Sequence, residues 1–390
     1  MNNHYILTIV VRDKGISMGY EEMFPPIDKK WHGNANKRFA SSFVDKPHDR
    51  IDVDSIILSN ACVVCGYTIR DFYMKPDLGI ACVAYSSEMY DLLPVTHWFF
   101  SLPWINELGS TMQYKETLPP ISTGPVISEP EEVDTKIHVP DKNAIKNGWS
   151  TKQFMTAYDY VAKNLPETLV PISYGFDLVG AAADLAGVEN FIMWTFTEPE
   201  AAHKLVKKYA DTSILGAEVM ADKFGSAMLT VGSVLANNDI FDDNAVEEYS
   251  VKTMYYYVTN CFKRGAGPQV FYHLCGNHVT DYTRFKENLL WSPFTVMHIG
   301  YSGREAFPAA VQKETFQDKA TIMVSVDTKL LIDPDPSKVY NNSKKQLLAG
   351  RDAKKGCILG TCCECPMYTI PGQMRALVKA ARDFGTYGTW

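Results

Sequence analysis

The chain has 390 residues, a formal net charge of −7, and 46% hydrophobic against 21% charged residues. That is the make-up of a globular protein with a sizeable core, and its acidic balance and lack of a basic stripe argue against a nucleic-acid partner. The short apolar run in "MNNHYILTIVVRDKG" is too brief for a signal peptide or a span, and no later stretch reaches span length without charges, so no membrane is expected and the expected location is cytoplasmic.

Nine cysteines in such a setting are expected as free thiols, not as a disulfide framework. In chain order, residues 1–45 read as an N-terminal extension and 46–390 as one domain. Within it "IDVDSIIL" (51–58) and "VTHWFF" (95–100) read as early strands. Cys62 and Cys65 have the spacing of a redox or zinc pair but lack a partner pair, and read as buried structural thiols. The polar, proline-bearing segment 117–148 reads as a linker or a long surface excursion.

From there on, apolar runs alternate with amphipathic stretches. "TLVPISYG" (168–175), "AMLTVG" (227–232), "PQVFYHLCG" (268–276), "FTVMHIG" (294–300), "ATIMVSV" (320–326) and "GCILGT" (356–361) read as strands buried on both faces. "EPEAAHKLVKKYADTSILGAEVMADKFG" and "PGQMRALVKAARDFG" read as helices, the first with acids in its first turn, the second with a proline near its start, and each with a glycine at its end. Eight parallel strands with helical crossovers predict a TIM (β/α)8 barrel. An open doubly wound sheet is the runner-up, disfavoured because no glycine-rich dinucleotide loop follows any strand.

In a barrel, functional groups gather at the C-terminal ends of the strands. His273 and Cys275 lie at such an end, two residues apart, so in extended chain they face the same way. Cys362, Cys363 and Cys365 crowd the end of the last strand, where one of them can meet the first pair across the barrel mouth. One imidazole and two thiolates form a donor set suited to zinc, and three protein ligands leave a coordination position open.

"FYHLCGN", followed about ninety residues later by "LGTCCECPMYTIPGQMRALVKAARDFGTYG", resembles the uroporphyrinogen-decarboxylase superfamily, in its zinc-dependent corrinoid methyltransferase branch. "RFASSFVDKPHDRIDVD" is similar to the family's opening, and "EPEAAHKLVKKY" to one of its helices. The resemblance implies zinc on His273, Cys275 and Cys363, which would carry the catalysis, and a corrinoid (cobalamin) supplied by a separate partner protein. It implies methyl transfer. The arginine-rich opening by which the family's decarboxylases hold porphyrin carboxylates has no counterpart here, which disfavours porphyrinogen decarboxylation.

The favoured expectation is O-demethylation, a methyl passing from a methoxylated aromatic compound to cobalt(I). It rests on a wall of aromatics near the mouth: Tyr174, Phe176, Phe271, Tyr272 and Tyr301. The alternative is a methyl-corrinoid protein:thiol methyltransferase of the coenzyme M type; a decarboxylase on the same barrel is a third reading. Further polar substrate contacts are expected from Asn237, Asn238, Asp239, Asn277, His278 and Glu364, all at strand ends.

Overall fold

The computed structural model describes residues 27–43, 49–94, 102–278, 280–302, 305–306 and 309–389, without the side chains of 301–306. The central element is a sheet of seven parallel strands: β1 (Asp52–Asp54), β2 (Ile172–Gly175), β3 (Met228–Ser233), β4 (Val270–Leu274), β5 (Thr295–Ile299), β6 (Thr321–Val326) and β7 (Cys357–Thr361). Their order is β1-β7-β6-β5-β4-β3-β2, so β7 pairs with β1 and the sheet curls back towards its own start. Between β1 and β2 falls the stretch 95–100, expected as the eighth strand; it lies outside the described residues. The fold is an α/β barrel.

Helices cover the outer face because every strand residue in this sheet is buried, the pattern of a parallel sheet with helical crossovers. The sequence boundaries are met within a few residues for β2 to β7. The early strand is shorter than expected. The reading 51–58 shrinks to Asp52–Asp54, because Leu58–Val64 is already a helix; an apolar run this short does not distinguish helix from strand by periodicity. The long helix Pro199–Phe224 ends on Gly225 in the left-handed conformation (φ 83°), as a C-terminal glycine should. The segment 117–148 is a surface excursion with two short helices, and its Ile121–Ser122 pairs with the preceding Met112–Gln113 in a two-stranded ribbon.

Before the first strand, the helix Lys29–Ser41 docks onto the barrel through Arg38, whose Nε donates to the fully buried Asp52 at 2.6 Å. The last helix, Pro371–Phe384, buries Met374, Leu377, Val378 and Ala381, at helical spacing, against the sheet. Among the described residues no helix is long and apolar enough to cross a membrane.

Candidate metal centre

Parallel register sets His273 on β4 directly beside Gly232 of β3 and His298 of β5. Successive strand residues alternate in direction, so His273 shares a side with Phe271 while Tyr272 points the other way. Tyr272 packs against Trp291 and donates its hydroxyl to the Leu290 carbonyl (2.7 Å). Beyond the strand, the Cys275 N–H donates to the Ser233 carbonyl (2.9 Å), and Gly276 turns the chain with φ 93°. This pins the His-x-Cys pair to the end of β3.

The other half comes from the turn after β7. The Cys362 N–H donates to Val326 on β6 (2.9 Å), and the Cys365 N–H donates to Ile56 beyond β1 (2.8 Å). The Thr361 hydroxyl closes the turn onto the Cys363 carbonyl (2.8 Å). So held, Cys363 meets the first pair: ligand atoms of His273, Cys275 and Cys363 all lie within 4.8 Å of one another. The neighbouring thiols turn elsewhere. Cys362 accepts from the Thr328 N–H (3.5 Å), and the Cys365 thiol donates to the Thr369 hydroxyl (3.1 Å).

Proton affinity in the trio is uneven. The Cys275 thiol donates towards Cys363, and together with His273 and the Glu364 N–H it holds Cys363 well below the ordinary thiol range. Cys275, the donor, is correspondingly pushed up. A dication that displaces the shared proton would gain two thiolates at once, and their negative charge would match its own. Two sulfurs and an imidazole, with His273 buried and both thiols half-buried, form a donor set that fits zinc.

Three residues give this trio its shape, and only their place in the fold reveals them. Gly300 has no side chain because none fits: a Cβ would stand 2.4 Å from the Cys362 carbonyl and 3.0 Å from His273 Cε1. Gly232 likewise leaves room for Phe176, whose ring stacks on His273 (5.4 Å between centroids, 25°). Asp177 follows β2 in a left-handed conformation (φ 42°) that is strained for a residue other than glycine. Its Oδ2 accepts the Leu235 N–H (3.1 Å) and sits where a Cβ on residue 180 would be, so Gly180 is required beside it. Burial pushes Asp177 up to about 6, against the pull of backbone N–H donors and of His273, and its Oδ1 has no hydrogen-bond partner among the described residues.

The polar residues expected at the rim mostly bind one another. Asn237 donates to the Val234 carbonyl (2.7 Å) and accepts from the Asp239 N–H (2.9 Å); Asn277 donates to Asp239 (3.0 Å). Asn238 donates to Asp243 (3.2 Å). His278 is fully buried, which lowers it to about 4, and its Nε2 lies against the Ser233 (3.3 Å) and Cys275 (3.2 Å) carbonyls, as a staple between β3 and β4. Glu364 is pushed up to about 7 by burial and accepts from the Ser59 hydroxyl (3.1 Å), so the helix after β1 braces the Cys363 turn. Tyr174 is buried and stacked on Phe154 (6.2 Å), its carbonyl accepting from the Trp104 indole (3.2 Å). The Tyr301 side chain lies outside the described residues.

The sequence pattern of the uroporphyrinogen decarboxylase (URO-D) family matches residues 34–384. A curated relative, the methylated-thiol–coenzyme M methyltransferase of Methanosarcina mazei, is 23% identical over 284 residues, which cover 71% of this chain and 68% of that protein. A solved structure described as a methyltransferase from Methanosarcina mazei superposes with a TM-score of 0.74 at 16% identity, over 90% of this chain and 98% of the other, and so shares the fold. With the family pattern running from the first described helix to the last, the chain belongs to the uroporphyrinogen decarboxylase family.

Proposed function

We propose that this protein is a zinc-dependent methyltransferase that passes a methyl group between a sulfur compound and the cobalt of a corrinoid carried by a separate protein. The observation that carries the proposal is the convergence of His273, Cys275 and Cys363 within 4.8 Å at the strand ends. A decarboxylase working by acid–base chemistry needs no such donor set. Zinc bound there would supply Lewis acidity, lowering the pKa of a substrate thiol or easing departure of a thiolate.

The chain's own residues set the conditions for that chemistry. Cys275 and Cys363 would offset the charge of an ion held there, which would keep a substrate sulfur electron-rich and nucleophilic. Phe176 covers one face of the His273 ring and limits water there. Ser59 and the Glu364 turn hold Cys363 in place from the far side. In the thiol-accepting direction the balance is simple: the thiol releases its proton to solvent, the thiolate sulfur donates its pair to the methyl carbon, the cobalt–carbon bond breaks, and its electrons stay on cobalt as cobalt(I).

Sulfur is better supported than a methoxylated arene. The named relative acts on methylated thiols and coenzyme M. The aromatic wall that favoured an arene is interrupted, with Tyr272 turned to the outer layer. The decisive experiment offers the zinc-loaded protein methylcobalamin with 2-mercaptoethanesulfonate or simple thiols, and separately cob(I)alamin with methoxybenzenes, following the corrinoid spectrum. Thiol-dependent loss of methylcobalamin is expected. Turnover with methoxybenzenes alone would restore the arene, and a protein that binds no zinc would overturn the metal chemistry itself.

A further inference from the structure

His298 stands beside His273 in register, wholly buried, and the two rings meet through their Nδ1 atoms at 2.8 Å. One proton, and only one, occupies that contact. Its owner follows from what surrounds His298 on its other side. His298 Nε2 lies 3.0 Å from the Ser325 hydroxyl oxygen. That hydroxyl has its own acceptor, the Ile299 carbonyl at 2.8 Å, and a carbonyl cannot donate in return. The Thr361 backbone carbonyl faces the same imidazole. With its own proton committed to Ile299, the Ser325 oxygen can only accept, and that calls for a proton on His298 Nε2.

We infer that His298 is a positioning residue for the metal centre. As the neutral Nε2–H tautomer, it accepts the Nδ1 proton of His273 and so presents His273 Nε2 as the bare nitrogen for zinc. The chain of donors runs from His273 Nδ1–H to His298 Nδ1, from His298 Nε2–H to the Ser325 oxygen, and from the Ser325 hydroxyl to Ile299. It ends on a backbone carbonyl of β5, so the orientation of a metal ligand is anchored in the sheet. An outer partner of this kind fixes both tautomer and ring angle, and losing one typically weakens metal binding by about 10–100-fold. The inference rests on the proposed metal site, but its central element, the Nδ1–H···Nδ1 contact from His273 to His298, exists with or without zinc.

The test has two arms. Long-range proton–nitrogen correlation on protein labelled with 15N-histidine should show His298 as the Nε2–H form and His273 protonated at Nδ1, in both metal-free and zinc-loaded protein. An Nε2–H, Nδ1-bare form of His273 in either state overturns the inference. In the second arm, chelator competition compares His298→Leu with His298→Asn, whose amide oxygen falls near the place of the lost Nδ1. The leucine variant should bind zinc about 10–100-fold more weakly, and the asparagine variant should recover most of that loss. Equal weakening in both, with the fold intact by circular dichroism, would reduce His298 to packing. If the wild-type protein binds no zinc, the metal reading fails, and the nitrogen spectrum still decides the tautomers.

Discussion

Replacing Asp177 with asparagine should make the protein more stable at neutral pH than at acid pH, relative to wild type. The carboxyl is buried and pushed up from 3.8 to about 6. A raised folded-state pKa means that the native protein holds a proton the unfolded chain has released, so stability falls as pH rises from about 4 to about 6 and levels off above. Two pH units at 1.36 kcal/mol each put the full penalty of the ionised form at about 3 kcal/mol, of which roughly 2 kcal/mol develops between pH 4 and pH 7. Asparagine has the same shape, still accepts the Leu235 N–H and carries no charge. Its buried NH2 group adds a cost of about 1–3 kcal/mol, but that cost does not vary with pH. The assay is urea unfolding of both metal-free proteins at pH 4, 5, 6 and 7. A difference in unfolding free energy that stays flat across this range would refute the reasoning, since no offset from the amide can mimic or hide a slope.

The late cysteines should separate cleanly by metal analysis. Cys275→Ser and Cys363→Ser should each lower zinc affinity by more than about tenfold, whereas Cys362→Ala and Cys365→Ala should keep one zinc per chain; zinc loss in either of the last two would reassign the third ligand. Gly300→Ala forces a methyl against the Cys362 carbonyl and the His273 ring, so it should cost about 1–3 kcal/mol in thermal or urea unfolding and weaken zinc binding as well. An unchanged melting temperature together with unchanged zinc affinity would show that this close approach is not needed.

Much of the site could be read from spacing, because one rule governs it. His273 and Cys275 are two apart at a strand end, and barrel topology brings the last strand's cysteines to the same mouth. The same alternation places Tyr272 on the opposite face, so counting it in an aromatic wall conflicted with the geometry that paired its neighbours. His298 reads in sequence as one more strand-end histidine; its meaning depends on the register between β4 and β5, which no local pattern encodes. Asp177 and Gly180 look like an ordinary start to a helix until the loop after β3 is seen to lean on them. The rim residues Asn237, Asp239 and Asn277 were expected from their position alone. Position says which loop a side chain is on, but not whether a neighbouring loop has already engaged it.

The proposed donors of the metal centre sit at the ends of β4 and β7, with two complete strand–helix units of chain between them. An ion shared by those ends would act as a cross-link over a long loop, restricting the unfolded chain in the way a disulfide does while remaining removable by a chelator. Stripping the metal should therefore loosen the carboxy-terminal part of the barrel before the rest, and amide exchange should rise first around the Cys363 turn and the helix behind it.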